Sequence, residues 1–509
     1  MNPRIAKEIR VLLPAFGLTL SASVLPLLWP SGPEHWAAVL AWMGILYSIG
    51  CLIMGALVFG NEFQQKTMSL LLTQPIPRTS IWKEKMLVLG GAIVIGTGAL
   101  CVALLFFATQ LLARGVAEWI AFGLIPLGAF CTTPWYTLQA RSTLLGAVGA
   151  LGPPIAILLL NGLVNELMHT PQVEPFSGTA LLIAYCVAAY WLGYRRFRTL
   201  QDLDPFSQEL TIPARLESLL LRPFRRLSAG FTGPFGSLVK KELRLQQISF
   251  LGAGLFCLVA VAGTLLYQRH IAVGGSLDLG ELMLVIGFVT YMPLLPFMAG
   301  AISVAEEKAW GVTDWHMTLP PSVLKQWSTK MLVTLSTSLI LGLMLPIALL
   351  LGASILGLLD HPESLIPEMP ILLVPVIGHL LLTSVAVYAA TLSSNTLRAI
   401  MLAFGLLFVV GCLIKIATWI VFSHPDVVRF PGITLQVIKA FWGNRSPNGD
   451  EVTGLVCAEM LVFLCLIQRF AFTCYRNRGM TIFQRTIQAL VLAFAVCFLT
   501  VAFLILSGT

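Results

Sequence analysis

Charge is what this chain has least of. Of its 509 residues only 11% are Asp, Glu, Lys or Arg, against 57% hydrophobic, and the mean hydropathy is +0.85. A soluble domain carries about 25% charged residues, and a soluble chain of this length would divide into several cores, each needing a polar surface. That class is excluded. The ten cysteines (Cys51, Cys101, Cys131, Cys186, Cys257, Cys412, Cys457, Cys465, Cys474 and Cys497) lie in or beside apolar runs, and none makes a C-x-x-C pair. This excludes a disulfide framework or a zinc site and reads as small packing residues. Catalytic signatures are missing too: there is no H-E-x-x-H, no G-x-S-x-G and no pair of acids at helical spacing within an apolar run. The seven histidines scatter through loops and run ends. No G-x-x-x-x-G-K-[ST] loop occurs, so the chain has no phosphate-binding loop of its own.

What the chain has in abundance is apolar runs of about 18 residues or more, the length that crosses hydrocarbon as a helix. They fall at 11–29, 36–59, 87–112, 117–139, 142–164 and 178–194, then at 250–267, 281–304, 331–357, 371–392, 399–422, 452–472 and 487–507. The expected fold is therefore an all-α integral membrane protein with about 12–13 transmembrane helices. Arg4, Lys7 and Arg10 before the first run resemble the start of a signal peptide. However, Trp29-Pro30-Ser31 is no small-residue cleavage site and further runs follow, so the first run reads as an uncleaved span. The formal net charge of +8 resides mainly in loops, which makes it a topological signal rather than a nucleic-acid footprint. Loops 31–35, 165–177 and 358–370 lack Lys and Arg, whereas 60–85 and 195–248 are rich in them. The positive-inside rule thus places the N-terminus and the 195–248 segment in the cytoplasm. The outer loop 423–451, with Arg429, Lys439 and Arg445, fits that rule less well.

The runs repeat. Lys7-Glu8-Ile9-Arg10 before the first recurs as Lys241-Glu242-Leu243-Arg244 before the seventh. At a constant offset of 245 positions, Glu62 aligns with Glu307, Thr73 with Thr318, Pro75 with Pro320, Trp82 with Trp327, and Lys85-Met86-Leu87-Val88 with Lys330-Met331-Leu332-Val333. Most of these identities are polar, Pro or Trp, which hydrophobic bias does not produce. The expected organisation is a first six-span unit at 1–200, a basic amphipathic cytoplasmic linker at 201–248 and a second six-span unit at 249–478. An extra transmembrane helix at 479–509 would leave the C-terminus outside. Two units of six spans share one orientation, as parallel repeats about an axis along the membrane normal do.

Between the second and third runs of each half lies a segment too short to cross. In the first half Glu62 is followed by Thr67-Met68-Ser69-Leu70-Leu71-Leu72-Thr73, and Pro75 and Pro77 then break the helix before Lys83 and Lys85. In the second half Glu307 is followed by Trp310 through Leu319, then Pro320-Pro321, Lys325 and Lys330. Both describe a short amphipathic helix on the cytoplasmic face. Glu62 with Lys85, and Glu307 with Lys330, stand at neighbouring ends of a helical hairpin where they could pair. Taken alone, such segments could also be plain interfacial turns with solvated flanks.

The stretch from Glu62 to Arg78, followed by Lys85, resembles the acid–Gly/Thr–Leu-Leu–Pro–Ser-Arg signature of type-2 ATP-binding-cassette (ABC) permeases, departing from it at Lys66 and Pro77. The second half keeps Glu307, Gly311, Leu319, Pro320, Ser322 and Lys330. The resemblance implies the permease subunit of an exporter for an amphipathic or hydrophobic substrate, multi-pass in a bacterial inner membrane. It also implies two coupling segments, formed by Glu62, Thr67, Leu71, Pro75, Arg78 and Lys85 and by Glu307, Gly311, Trp315, Pro320 and Lys330. These would grip a separate cytoplasmic ATPase, itself a dimer, that carries the ATP and Mg; this chain would hold no cofactor or metal and perform no catalysis. Its other partner is the lipid bilayer, with no nucleic acid expected.

Ionisable groups inside runs are costly in hydrocarbon and mark function by default. Lys415, Glu459 and His379 lie at comparable depth toward the outer side, and Lys415 with Glu459 would make an intramembrane polar pair unless Lys415 snorkels to the interface. Rival classes are a membrane-embedded transferase, suggested by the 423–451 loop and these polar groups, and a secondary transporter, which would need broken helices at mid-depth.

Overall fold

A computed structural model of the chain describes residues 3–28, 36–65, 67–107, 116–167, 174–200, 233–273, 279–311, 321–356, 369–423, 449–477 and 488. Every regular element among them is helical. In order these are α1 (Pro3–Leu28), α2 (Trp36–Gln64), the short α3 (Met68–Leu72), α4 (Arg78–Phe107), α5 (Val116–Ala140), α6 (Thr143–Leu167) and α7 (Glu174–Thr199). There follow α8 (Gly233–Leu245), α9 (Gln247–Val273), α10 (Leu279–Trp310), α11 (Val323–Leu339), a π-turn (Ile340–Met344), α12 (Leu345–Ile355), α13 (Met369–Leu392), α14 (Thr396–Ser423) and α15 (Gly449–Arg476). Six stretches among the described residues are long and apolar enough to cross a membrane: Leu46–Gln64, Arg78–Leu105, Gln247–Thr264, Val323–Ile355, Leu373–Leu392 and Cys457–Arg476. The run expected at 487–507 apart from residue 488, the amphipathic part of the linker at 211–228 and most of loop 423–451 lie outside the described residues.

The helices reach past the apolar runs at their charged ends. The second run was bounded at 59 by hydropathy, yet α2 continues to Gln64; the run expected to open at 87 begins as α4 at Arg78. In the second half α10 carries through Glu306 and Glu307 to Trp310, and α11 opens at Val323, ahead of the expected 331. These polar turns remain helical because their charges find partners, as described below. Ser322 caps α11, its hydroxyl accepting from the Lys325 N–H. Gly311, at φ +70°, ends α10 in the left-handed conformation that favours glycine. Prolines inside α5, α6, α10 and α13 suit helices whose neighbours can satisfy the freed backbone groups.

The chain divides into two compact units. One comprises residues 1–230 with 254–290, and the other 231–253 with 291–509, so that α9 and α10 each run through the division. In the first unit α2 is the central helix: it packs on α1, α5 and α6, and Tyr47, Cys51, Met54, Leu57 and Phe59 are almost wholly buried along it. In the second, α13 packs against α11, α14 and α15 and buries Val385 through Ala390.

Close approach depends on small residues, as is usual where apolar helices meet without a hydrophobic drive between them. A Cβ on Gly55 of α2 would lie 2.8 Å from the Ala129 carbonyl oxygen and 2.8 Å from Thr133 Cβ on α5. A Cβ on Gly300 of α10 would lie 2.5 Å from the Thr383 carbonyl oxygen and 2.7 Å from Ala386 Cβ on α13. Gly300→Ala must therefore push two helices apart, at a cost of about 1–3 kcal/mol. Gly17→Ala, with nothing within 4 Å, should leave thermal unfolding in detergent unchanged or slightly raised, while Gly300→Ala lowers it; equal midpoints for the two variants would contradict this packing.

Candidate functional site

The charged ends of the helices converge. In the first unit α1 brings Lys7 and Glu8, the last turn of α2 brings Glu62, and the second turn of α4 brings Lys85. Lys85 Nζ lies 2.7 Å from Glu8 Oε1, 3.3 Å from Glu62 Oε1 and 2.9 Å from the Val58 carbonyl oxygen. An ammonium has three protons to donate, and here three acceptors receive them. Lys7 Nζ reaches the same Glu62 Oε1 at 2.9 Å, and the Thr67 hydroxyl donates to Glu62 Oε2. Lys85 is 3% and Glu62 1% exposed, whereas half of the Lys7 side chain remains in contact with solvent.

The second unit builds the same arrangement from Lys241 and Glu242 of α8, Glu307 of α10 and Lys330 of α11. Lys330 Nζ lies 2.9 and 3.0 Å from the two Glu242 carboxylate oxygens, 3.0 Å from Glu307 Oε1 and 2.6 Å from the Ser303 carbonyl oxygen. Lys241 pairs with Glu307 and stands 3.3 Å from Glu242. Lys330 and Glu307 are each 1% exposed. Even the backbone acceptors correspond, since Ser303 stands 245 positions after Val58. Each cluster carries two cations and two carboxylates, so it is neutral as a whole. A buried charge is tolerated only when paired and hydrogen-bonded, and both lysines meet that condition.

An aromatic wall flanks each cluster. Trp82, one turn before Lys85, stacks on Phe59 at 5.1 Å, packs against Phe197 and Tyr194, and donates from Nε1 to the Tyr190 hydroxyl at 3.2 Å. The Lys85 ammonium sits 5.7 Å from the centre of the Phe59 ring. Trp327, one turn before Lys330, packs on Tyr475 at 5.0 Å and Phe472 at 5.9 Å.

The other residues singled out in the sequence fall as follows. Leu71 is buried with Met68 under α3, while Leu70 is 66% exposed on its outer side. Pro75 sits in the turn between α3 and α4. Arg78, the first residue of α4, donates from Nη1 to the carbonyls of Arg198 (2.7 Å) and Leu200 (2.9 Å) at the end of α7, where a cation complements the helix dipole. Gly311 terminates α10, but Trp315 and Pro320 lie outside the described residues, as does the side chain of Lys415. The pairing of Lys415 with Glu459 is therefore not described; Glu459 is partly buried on α15. His379 is buried on α13, with Nε2 2.9 Å from the Ser338 carbonyl oxygen. Among the described residues, no group of three or more His, Cys, Asp or Glu is placed to hold a metal ion.

Glu62 with Lys85 and Glu307 with Lys330 are thus in contact. Sequence reasoning left out Lys7, Glu8, Lys241 and Glu242, although the repeated Lys-Glu-x-Arg tetrapeptide was visible. A second omission was Lys308, whose ammonium collects the Ala390, Thr391 and Ser393 carbonyls at the end of α13, beside Glu306, which accepts from the Thr396 hydroxyl at 2.6 Å. Comparisons of the chain with protein-family models, with curated proteins and with solved structures return no match.

Removing one member of a buried pair strands its partners, at about 3–5 kcal/mol. Lys330→Met should therefore abolish monodisperse protein or lower its unfolding midpoint sharply. Combining it with Glu242→Gln and Glu307→Gln should restore much of the loss, because no stranded carboxylate remains. Lys7→Ala touches a half-exposed cation and should cost no more than about 1 kcal/mol. Size-exclusion profiles after a heating series would read all three variants.

Proposed function

We propose that this chain is the membrane subunit of an ABC-type exporter. In this reading two fused six-span units, with a further span at the C-terminus, are driven by a separate cytoplasmic ATPase subunit that carries the ATP and Mg. The N-terminus and the 201–248 linker face the cytoplasm, and the two segments after α2 and α10 are where the ATPase grips.

The observation that carries the reading is the pair of matched clusters. Each ties the start of the segment that leaves the bilayer (Glu62, Glu307) to the start of the helix that returns (Lys85, Lys330), and both to the chain entering its unit (Lys7 and Glu8, Lys241 and Glu242). A loop that only connected two spans would not need three segments locked to one ammonium. A loop that transmits force does, because a push on α3 then moves α1, α2 and α4 together. Gly55 and Gly300, 245 positions apart, each seat a helix against a backbone carbonyl of another helix, which supports reading the halves as copies. An amphipathic or hydrophobic substrate suits a chain with so few charges.

Gentle purification of the tagged chain should bring down an ATPase with a Walker motif whose hydrolysis the chain stimulates. Leu70→Asp alters an exposed side chain on α3 and leaves the buried cluster intact. It should reduce that stimulation by about tenfold, the effect of an apolar anchor worth about 1.4 kcal/mol, with an unchanged elution profile. An active chain that purifies with no ATPase would overturn the reading.

A further inference from the structure

The second unit contains one place where helical hydrogen bonding changes register. Within the apolar stretch Val323–Ile355, α11 passes into the π-turn Ile340–Met344 and resumes as α12. The Leu345 N–H donates to the Ile340 carbonyl, five residues back.

Pro346 accounts for the widening. Proline brings no N–H and crowds the carbonyl four residues before it, which here belongs to Gly342. In the wider register the residue five before Pro346 is Leu341, whose carbonyl is then denied a backbone donor. The Tyr291 hydroxyl of α10 supplies one at 2.9 Å. A second side chain holds the turn from the other side. His379 of α13, with its proton on Nε2, donates to the Ser338 carbonyl at 2.9 Å, and Ser338 Oγ in turn shares a hydrogen bond with Thr383 Oγ1 at 2.7 Å. The imidazole fits there because residue 342 is glycine: a Cβ would lie 2.5 Å from both Cε1 and Nε2 of the ring.

The corresponding helix of the first unit has no π-turn. At 245 positions earlier Thr97 stands for Gly342 and Cys101 for Pro346. There α4 runs unbroken from Arg78 to Phe107, and the Tyr47 hydroxyl meets the Thr97 side chain at 2.5 Å instead of a backbone carbonyl.

We propose that the Ile340–Met344 turn is a hinge between α11 and α12, clasped shut by His379 and Tyr291. π-Turns inside α-helices recur at functional sites, and sharp bends form at prolines and π-turns. Here both causes coincide, and side chains from two neighbouring helices bond the backbone on either flank of the register change: Tyr291 at the Leu341 carbonyl and His379 at the Ser338 carbonyl. Below the hinge α11 is anchored by Lys330; above it, α12 is free of such a tie among the described residues and can swing when the two clasps let go. In an apolar setting the Leu341 carbonyl is costly without a donor, and the His379 bond fixes the last turn of α11 to α13, so the two clasps set the population of the open form. The hinge stands whether or not an ATPase drives the chain.

Hydrogen exchange on the full-length chain in lipid nanodiscs tests this. In the wild type, amides of 340–345 should exchange at least about tenfold faster than those of 328–336. His379→Leu should accelerate them at least about fivefold further, with 328–336 unchanged, and Pro346→Ala should slow them. Tyr291→Phe, which removes a single hydroxyl, should accelerate them in the same sense and serves as the reading if His379→Leu does not yield monodisperse protein. Exchange at 340–345 as slow as in 328–336, or no response to the loss of either clasp, would overturn the hinge.

Discussion

An ammonium ion without water must be given back every hydrogen bond that hydration supplied, and the ends of these helices are arranged around that requirement. Lys85 receives two carboxylates and a carbonyl from α1 and α2; Lys330 receives two carboxylates and a carbonyl from α8 and α10. Each lysine can be buried only if two other segments meet its own helix there together. The position of each segment along its own axis is thereby set by a polar contact, while apolar packing, which is tolerant of sliding, fills in around it. Buried ion pairs contribute little net stability against an apolar replacement. What they supply here is register: the carboxylates define which turn of one helix stands beside which turn of the next.

The same constraint explains why the apolar runs gave helix centres well and helix ends poorly. Hydropathy stops counting at Phe59, but Asn61 and Glu62 are buried because Lys7, Lys85 and Thr67 take up the acid. Likewise Arg78 through Lys85 read as loop by composition, yet Arg78 has the end of α7 to bind and Lys85 has the cluster. A local average of hydrophobicity cannot register a partner 77 residues away in the chain. Glu62 with Lys85 and Glu307 with Lys330 were legible because the hairpin brings them together and the offset repeats. Lys7 and Glu8 were visible as a repeated tetrapeptide, but nothing in its spacing said that it would fold back on the hairpin. The π-turn was legible only as Pro346 within an apolar run, since the donors that make it tolerable, Tyr291 and His379, come from other helices.

The two units share a way of anchoring their helices and differ in what lies beyond the anchor. Past Lys85, α4 is one continuous helix in which Thr97 bonds the Ile93 carbonyl of its own helix; past Lys330, the corresponding stretch is interrupted and its backbone is held by side chains of other helices. The charged ends each meet the same geometric demand, whereas the helices beyond them are at liberty to differ.

The long separation between cluster partners also has a consequence in time. Chains emerge from synthesis N-terminus first, at roughly 5–20 residues per second. Glu8 precedes Lys85 by 77 positions and Glu242 precedes Lys330 by 88, so each acid waits about 4–18 s for its cation at those rates. During that interval α1 and α2, and later α8 and α10, hold carboxylates that cannot leave water. Insertion of each unit is thus completed by its lysine-bearing helix, and the arrival of one side chain is the event that commits three segments to their final depth.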